Sequence, residues 1–245
     1  MPSPWKEREL QKREEQILGV ARQLLLDHGY FGMTMDRIAA GIEYSKGTLY
    51  QHFASKEDVL CALALESEKT RQDFFERAAR FDGNPRERLT AVGEAYELYY
   101  RLYPTYFRSE QMIHSQELLT KISTERREQV MNCGARCHAL MTDIIADAQV
   151  ARQLQLPPGM TPGTLAFLLW SLTSGAYLNM AEPEHLQEMG VENPIEAVRT
   201  ACQVLLDGLN WRPLSREQDY LAVGQRVYAE IFPKEMAELL LSVKA

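Results

Sequence analysis

Along nearly the whole chain, apolar positions recur with the period of a helix rather than alternating as in a strand. Ile17, Ala21, Leu24, Leu25 and His28 share one face, which predicts a helix from about Trp5 to His28 with Gly29 as its stop. Thr34 then precedes Ile38, Ala39 and Ile42 at helical spacing. Its hydroxyl suits an N-cap, accepting one of the backbone N–H groups left over at a helix start. Glu43 and Tyr44 make a turn, and Ser45 caps a short helix holding Lys46 to Phe53. Ser55 caps a third, with Asp58 three residues later as in a capping box. Leu49 and Phe53, four apart, must pack inward, which turns Lys46, Thr48, Gln51 and His52 variously outward.

Two helices around a tight turn, the second short and rich in small and hydrogen-bonding residues, form a helix-turn-helix, the unit that enters the DNA major groove. The run Tyr44-Ser45-Lys46-Gly47-Thr48-Leu49-Tyr50-Gln51-His52-Phe53, then Ser55-Lys56-Glu57, resembles the DNA-binding domain of TetR/AcrR-type transcriptional repressors. Gly29-Tyr30, Thr34 and Ile38-Ala39 stand at the spacings that family uses before its turn. The resemblance covers residues 10–60. One departure stands in the turn, where the family often has Gly and this chain has Glu43. A side chain there implies a turn that avoids φ > 0 or tolerates some strain.

Beyond the motif, Pro and Gly punctuate further helical segments. A long helix is expected from Ser55 to about Arg80, and others over Leu89–Tyr103, from Pro104 to about 119–122, and Glu125–Leu154. Pro162 to about Met180 and Pro194 to about Leu209 follow, each with proline in its first turn. Two shorter helices, split at Pro233, end the chain. The fold class read from this is all-α: an N-terminal three-helix helix-turn-helix domain over 1–60 and a larger helical ligand-binding and dimerisation domain over 61–245.

A net charge of −7 is unusual for a DNA binder, and residues 1–60, with eight Lys/Arg and nine Asp/Glu, are nearly neutral. Cations are positioned instead of massed: Lys6, Arg8, Lys12 and Arg13 before the motif, Arg37, Lys46 and Lys56 around it. A few placed phosphate contacts suffice in a dimer, while an acidic remainder limits non-specific binding. The N-terminus leads into charge instead of an apolar run, so no secretory leader is expected. The apolar stretch Leu165 to Leu178 is interrupted by Ser171, Thr173, Ser174 and Gly175 and is shorter than the roughly 20 residues that span a bilayer. A cytoplasmic protein without membrane contact is the expectation. Cys61, Cys133, Cys137 and Cys202 suggest reduced thiols. Cys133 and Cys137 share a helix face beside His138, the basis for a rival reading as a redox or metal site, although two thiolates do not complete a zinc site. No nucleophile–base set, phosphate-binding Gly loop or HExxH occurs, so neither catalysis nor a cofactor nor a metal is expected.

For the double-stranded operator, Lys46 can donate to guanine or phosphate, Thr48 can touch a thymine methyl or a phosphate, and Gln51 can read adenine. The resemblance implies backbone clamping by Tyr50, His52 and Lys56 and a phosphate contact from Thr34; Arg37, Tyr44 and Ser45 complete the candidate set. Tyr96, Tyr99, Tyr100 and Tyr103 fall at i, i+3, i+4 and i+7. An aromatic stripe is more often core than ligand wall, but four hydroxyls need partners when buried, and apolar walls with polar tips suit a small-molecule pocket. The resemblance also implies an effector pocket in the C-terminal domain, so these tyrosines, with Met112, His114, Met141, Trp170 and Tyr177, are the candidate lining. A structural role remains the plainer reading for His114 and His138. Pro162–Met180 and Pro194–Leu209 read as ordinary core or as the four-helix homodimer interface the resemblance implies, with Phe167, Trp170, Ser174, Val198, Cys202 and Leu205 at the contact. The expected function is a repressor with a small hydrophobic or aromatic effector; Glu94, Glu97 and Glu110 on neighbouring segments would allow a cationic one held by cation–π contact, although glutamates on helices usually face water. Its rival is a constitutive DNA-binding protein with a filled core.

Overall fold

The computed structural model describes residues 4–113, 122–180 and 183–242, and among these every regular element is an α-helix. His114, a candidate ligand-lining residue, lies outside the described residues. The chain divides into two compact units, Met1–Thr70 with Tyr103–Gly134 and Arg71–Leu102 with Ala135–Ala245. This division differs from one at residue 60, because the helix that begins just after the motif continues past it.

The first unit begins with α1 (Pro4–Gly32), which buries Ile17, Leu18, Ala21 and Leu25. His28, expected on the same face, is exposed, whereas Leu25 three residues earlier is buried. The helix breaks at Gly29, at φ +64° and ψ −176°, a backbone region open essentially to glycine alone. In α2 (Met35–Gly41), Thr34 Oγ1 accepts from the Arg37 amide at 3.3 Å, and Ile38 is buried. A Cβ on Gly41 would lie 2.6 Å from Val20 Cγ1, so glycine lets α2 lie close against α1. In α3 (Lys46–His52), Ser45 Oγ accepts from the Thr48 amide at 3.2 Å. The turn between them keeps Glu43 out of positive φ, which answers its departure from glycine without strain.

Leu49 and Phe53 are fully buried, each contributing about 1.5–3 kcal/mol to anchoring α3 on its neighbours. α4 (Lys56–Ala78) starts at Ser55, whose Oγ accepts from the Asp58 amide at 3.1 Å while Asp58 Oδ2 accepts from the Ala54 amide. Val59, Leu60 and Leu63 of α4 join Ile17, Ile38 and Leu49 in one core, to which Val130 and Cys133 also belong. α6 (Pro104–Ile113) and the start of α7 (Thr124–Val150) complete this unit.

In the second unit, α5 (Pro85–Leu102) starts four residues earlier than the apolar pattern suggests. Asn84 Oδ1 accepts from the amides of Arg86 and Glu87, and Glu87 Oε2 accepts from the Asn84 amide at 2.8 Å, a reciprocal cap with proline in the first turn. It ends at Leu102, so Tyr103, before Pro104, is not on its face. α8 (Pro162–Asn179) packs on α10 (Pro194–Gly208), with a short helix α9 (Pro183–Glu188) between them that the periodicity does not reveal. α11 (Tyr220–Glu230) and α12 (Pro233–Ser242) pack on α5. Phe232 stacks on Phe74 at 5.1 Å, and Arg77, at 4.5 Å over the Phe232 ring, donates to Glu235 and to the Ile231 carbonyl.

Candidate DNA-contacting surface and ligand cavity

With Leu49 and Phe53 buried, α3 turns Lys46, Tyr50 and Gln51 to solvent and leaves Thr48 and His52 half-buried. Lys46 Nζ is paired with Asp36 of α2, and that hydrogen bond, with the carboxylate charge, holds its ammonium pKa above the usual lysine value. Both partners are exposed, so the pair contributes little to stability and a phosphate can compete for the lysine. Tyr44 is fixed from α1: its hydroxyl donates to Gln16 Oε1 at 2.5 Å, and Arg13 lies 5.5 Å from its ring. Arg37 donates to the Gly32 carbonyl at 3.1 Å. Lys56 Nζ sits 4.0 Å from the Tyr30 ring centroid, whose hydroxyl donates to Glu57. Thr34 and Ser45 accept capping bonds, and a hydroxyl that accepts retains a proton to donate. The helix starts at Thr34, Ser45 and Ser55 present backbone N–H groups and positive dipole ends, the chemistry that receives phosphate.

The second unit encloses a cavity of about 360 Å³ between α5, α8 and α10. Its walls include Tyr96, Met141, Trp170 and Tyr177, four of the nine candidate lining residues. Tyr96 shares a 2.7 Å hydrogen bond with Ser174 and packs its ring at 5.2 Å from Tyr177. Tyr99 does not line the cavity; it is wholly buried, edge-on to Phe74 at 6.2 Å and stacked with Tyr96 at 6.3 Å. Tyr100 stacks on Tyr177 at 4.7 Å without reaching the lining. Tyr103 stacks on Tyr106 in the first unit, and Met112 packs against that unit's core. A helical stripe about 100° wide has an edge toward the cavity and an edge toward the core, and spacing alone cannot distinguish them.

Glu94 and Glu97, which the sequence offers as partners for a cationic ligand, also line the cavity, whereas Arg199 lies outside the sequence-based set. Glu94 and Glu97 are buried on α5, and Arg199 Nη2 of α10 joins both, at 2.6 and 2.7 Å. Tyr228 donates to Glu94, and Arg101 reaches Glu97 at 3.2 Å. Burial, then the charge of Glu94, pushes the Glu97 carboxyl pKa up against the opposing pull of Arg199 and Arg101. Burial likewise raises the Tyr177 and Tyr228 hydroxyl pKa values and lifts that of the Cys202 thiol to about 11. Cys202, assigned to the dimer contact from the sequence, lines the cavity. Among the other dimer candidates, Phe167 and Trp170 are exposed, Leu205 is half-buried, and Ser174 and Val198 are buried within the protomer.

Cys133 and Cys137 are buried, and among the described residues no group of three or more His, Cys, Asp and Glu is placed to hold a metal. No described helix is long and apolar enough to cross a membrane.

The sequence model described as bacterial regulatory proteins, tetR family, matches residues 17–63. Rv1556 of Mycobacterium tuberculosis, an uncharacterized HTH-type transcriptional regulator, is 38% identical over 65 residues; the match spans 26% of this chain but only 30% of that relative. The HTH-type transcriptional regulator UidR of Escherichia coli is 26% identical over 196 residues, 78% of this chain and 92% of its own. The structure of the fatty acid degradation regulator FadR from Bacillus halodurans superposes with a TM-score of 0.60 at 18% identity, covering 86% of this chain and 100% of that one, a likeness of fold. With its capped helix-turn-helix matched by that model, the head of this all-helical chain is an N-terminal domain of the tetR family of bacterial regulatory proteins.

Proposed function

We propose that the protein is a ligand-responsive regulator, a repressor by its resemblance, that binds a palindromic operator as a homodimer and is controlled by a small molecule held in the second unit. The DNA half rests on the capped helix-turn-helix with Lys46, Tyr50 and Gln51 turned outward. Two such heads about 34–36 Å apart would meet successive major grooves. The effector half rests on one observation: the cavity of about 360 Å³ with aromatic and ionisable walls. A constitutive binder with a filled core would leave no such space beside Tyr96. The effector acts by population shift and must favour one conformer of the dimer by its difference in affinity for the two. α4 and α7 each contribute residues to both units, so a displacement of either helix is covalently continuous with the other unit.

The test starts by selecting binding sites from random duplex DNA with the purified protein. A palindromic consensus, lost on Tyr50→Ala, is expected. Recovery of no consensus would refute specific operator binding.

A further inference from the structure

Arg199 is the sole cation among the described residues lining the cavity, whereas three carboxylates line it, Glu94, Glu97 and Glu196. Glu196 stands at the exposed mouth, 4.0 Å from Arg199. Glu94 and Glu97 lie deeper, 7% and 2% exposed, and share the one guanidinium. Arg101 also pairs with Glu97, but it is not part of the lining and its side chain is 42% exposed, so water screens its charge. Tyr228 and Tyr177 are held neutral by burial and add hydroxyl groups without charge. The wall therefore sets two buried carboxyl groups against one guanidinium at the place where charge is hardest to solvate, and buried unbalanced charge is costly. Tyr96, Trp170 and Tyr177 line the same cavity and supply aromatic rings, whose faces attract cations.

We propose that the effector is a cationic compound, an amine or amidine nitrogen on an aromatic body, whose charge is received by Glu94 and Glu97 beside Arg199. This rests on the reading of the cavity as the effector site and deepens it. An anion would meet three carboxylates and gain only a guanidinium already engaged twice. A neutral ring compound would fill the space but leave the wall charge uncompensated. The ammonium of a cation gains both carboxylates, while its ring lies against Trp170 and Tyr177. The volume suits a compound of one to three rings, near the lower end of ordinary ligand pockets at about 300–1,000 Å³.

The experiment uses matched compounds on the full-length protein: benzyl, naphthylmethyl and biphenylmethyl amines, each compared with the acetamide and the acetate on the same ring. Thermal stabilisation and calorimetric titration at neutral pH are the readouts. The expected result is that the amine of at least one ring size binds at least about tenfold more tightly than its amide and acetate, and that Glu97→Gln removes this preference. If Glu97→Gln does not fold, the comparison on the wild-type protein carries the test alone. Amide or acetate binding as tightly as the amine would overturn the cationic assignment and leave the effector site standing. Failure of every compound to bind would overturn the assignment together with the effector site.

Discussion

Arg86 has no exposed side-chain surface, and its two terminal nitrogens reach the Trp211 and Pro213 carbonyls, Gln203 and Asp207. Its guanidinium also lies 4.7 Å from the Tyr220 ring centroid, so one side chain of α5 fixes the end of α10 and the approach to α11. Removing it strands those acceptors, and breaking a buried pair costs about 3–5 kcal/mol. Arg86→Met should therefore lower the melting temperature by roughly 6–20 °C at about 2–4 °C per kcal/mol, and a fall under about 2 °C would refute this role. Asp207 carries the acid-sensitive part of the same cluster. Burial pushes its carboxyl pKa up, but the Ser215 hydroxyl and amide and Arg86 outweigh this and hold it below the usual range. A depressed carboxyl adds stability above its unfolded value of about 3.9 and loses it as pH falls through the lower folded value. Asp207→Asn should thus be less stable than wild type at pH 7, with the gap closing toward pH 3. Melting curves at the two pH values test the sign, and a gap that widens in acid would contradict it.

At the scale of elements, α2 and α3 are tied across their turn by Asp36 and Lys46. The same lysine is a candidate DNA contact, so Asp36 competes with phosphate for it and repels the duplex. Lys46→Ala should weaken operator binding and flatten its salt dependence by about 0.9 in the log–log slope for a lost phosphate contact. Asp36→Asn should strengthen binding. Equal affinity in both variants would remove Lys46 from the contact set. Much of this head was legible from sequence because its signals are local: Thr34, Ser45 and Ser55 each cap within three residues, and Leu49 and Phe53 need only the helical period. The Asn84–Glu87 cap was equally local but lay ahead of the first apolar residue, Leu89, on which the sequence-based start was set. The cavity was less legible because its polar walls meet from segments distant in sequence. Glutamates on helices ordinarily face water, and nothing near Glu94 or Glu97 announces that Arg199, about a hundred residues away, will bury them.

At the scale of the whole molecule, a palindromic operator requires two heads, and α8 and α10 offer a surface for joining two chains. Phe167, Leu168, Trp170 and Leu178 of α8 and Val204 of α10 are exposed in the single chain. Ala197, Thr200, Val204 and Gly208 recur along the exposed side of α10 at helical spacing, and small residues allow another helix to approach closely. The sequence-based choice of interface residues was mixed because α8 is apolar nearly all round, and periodicity cannot separate the side facing its own protomer from the side facing a partner. Ser174 points inward to Tyr96, whereas Phe167 points out. Light scattering at micromolar concentration should therefore give about twice the 28.1 kDa of one chain. Phe167→Glu and Val204→Glu place a charge on this surface without disturbing a buried position of the protomer. Each should weaken dimerisation by about 2 kcal/mol or more, roughly 30-fold, if the residue sits at the centre of the contact. Operator binding should fall with dimerisation, because a lone head loses the second half-site, while the melting of the protomer stays cooperative. A wild-type mass of one chain would refute the dimer. Full dimerisation of both variants would move the contact to another surface.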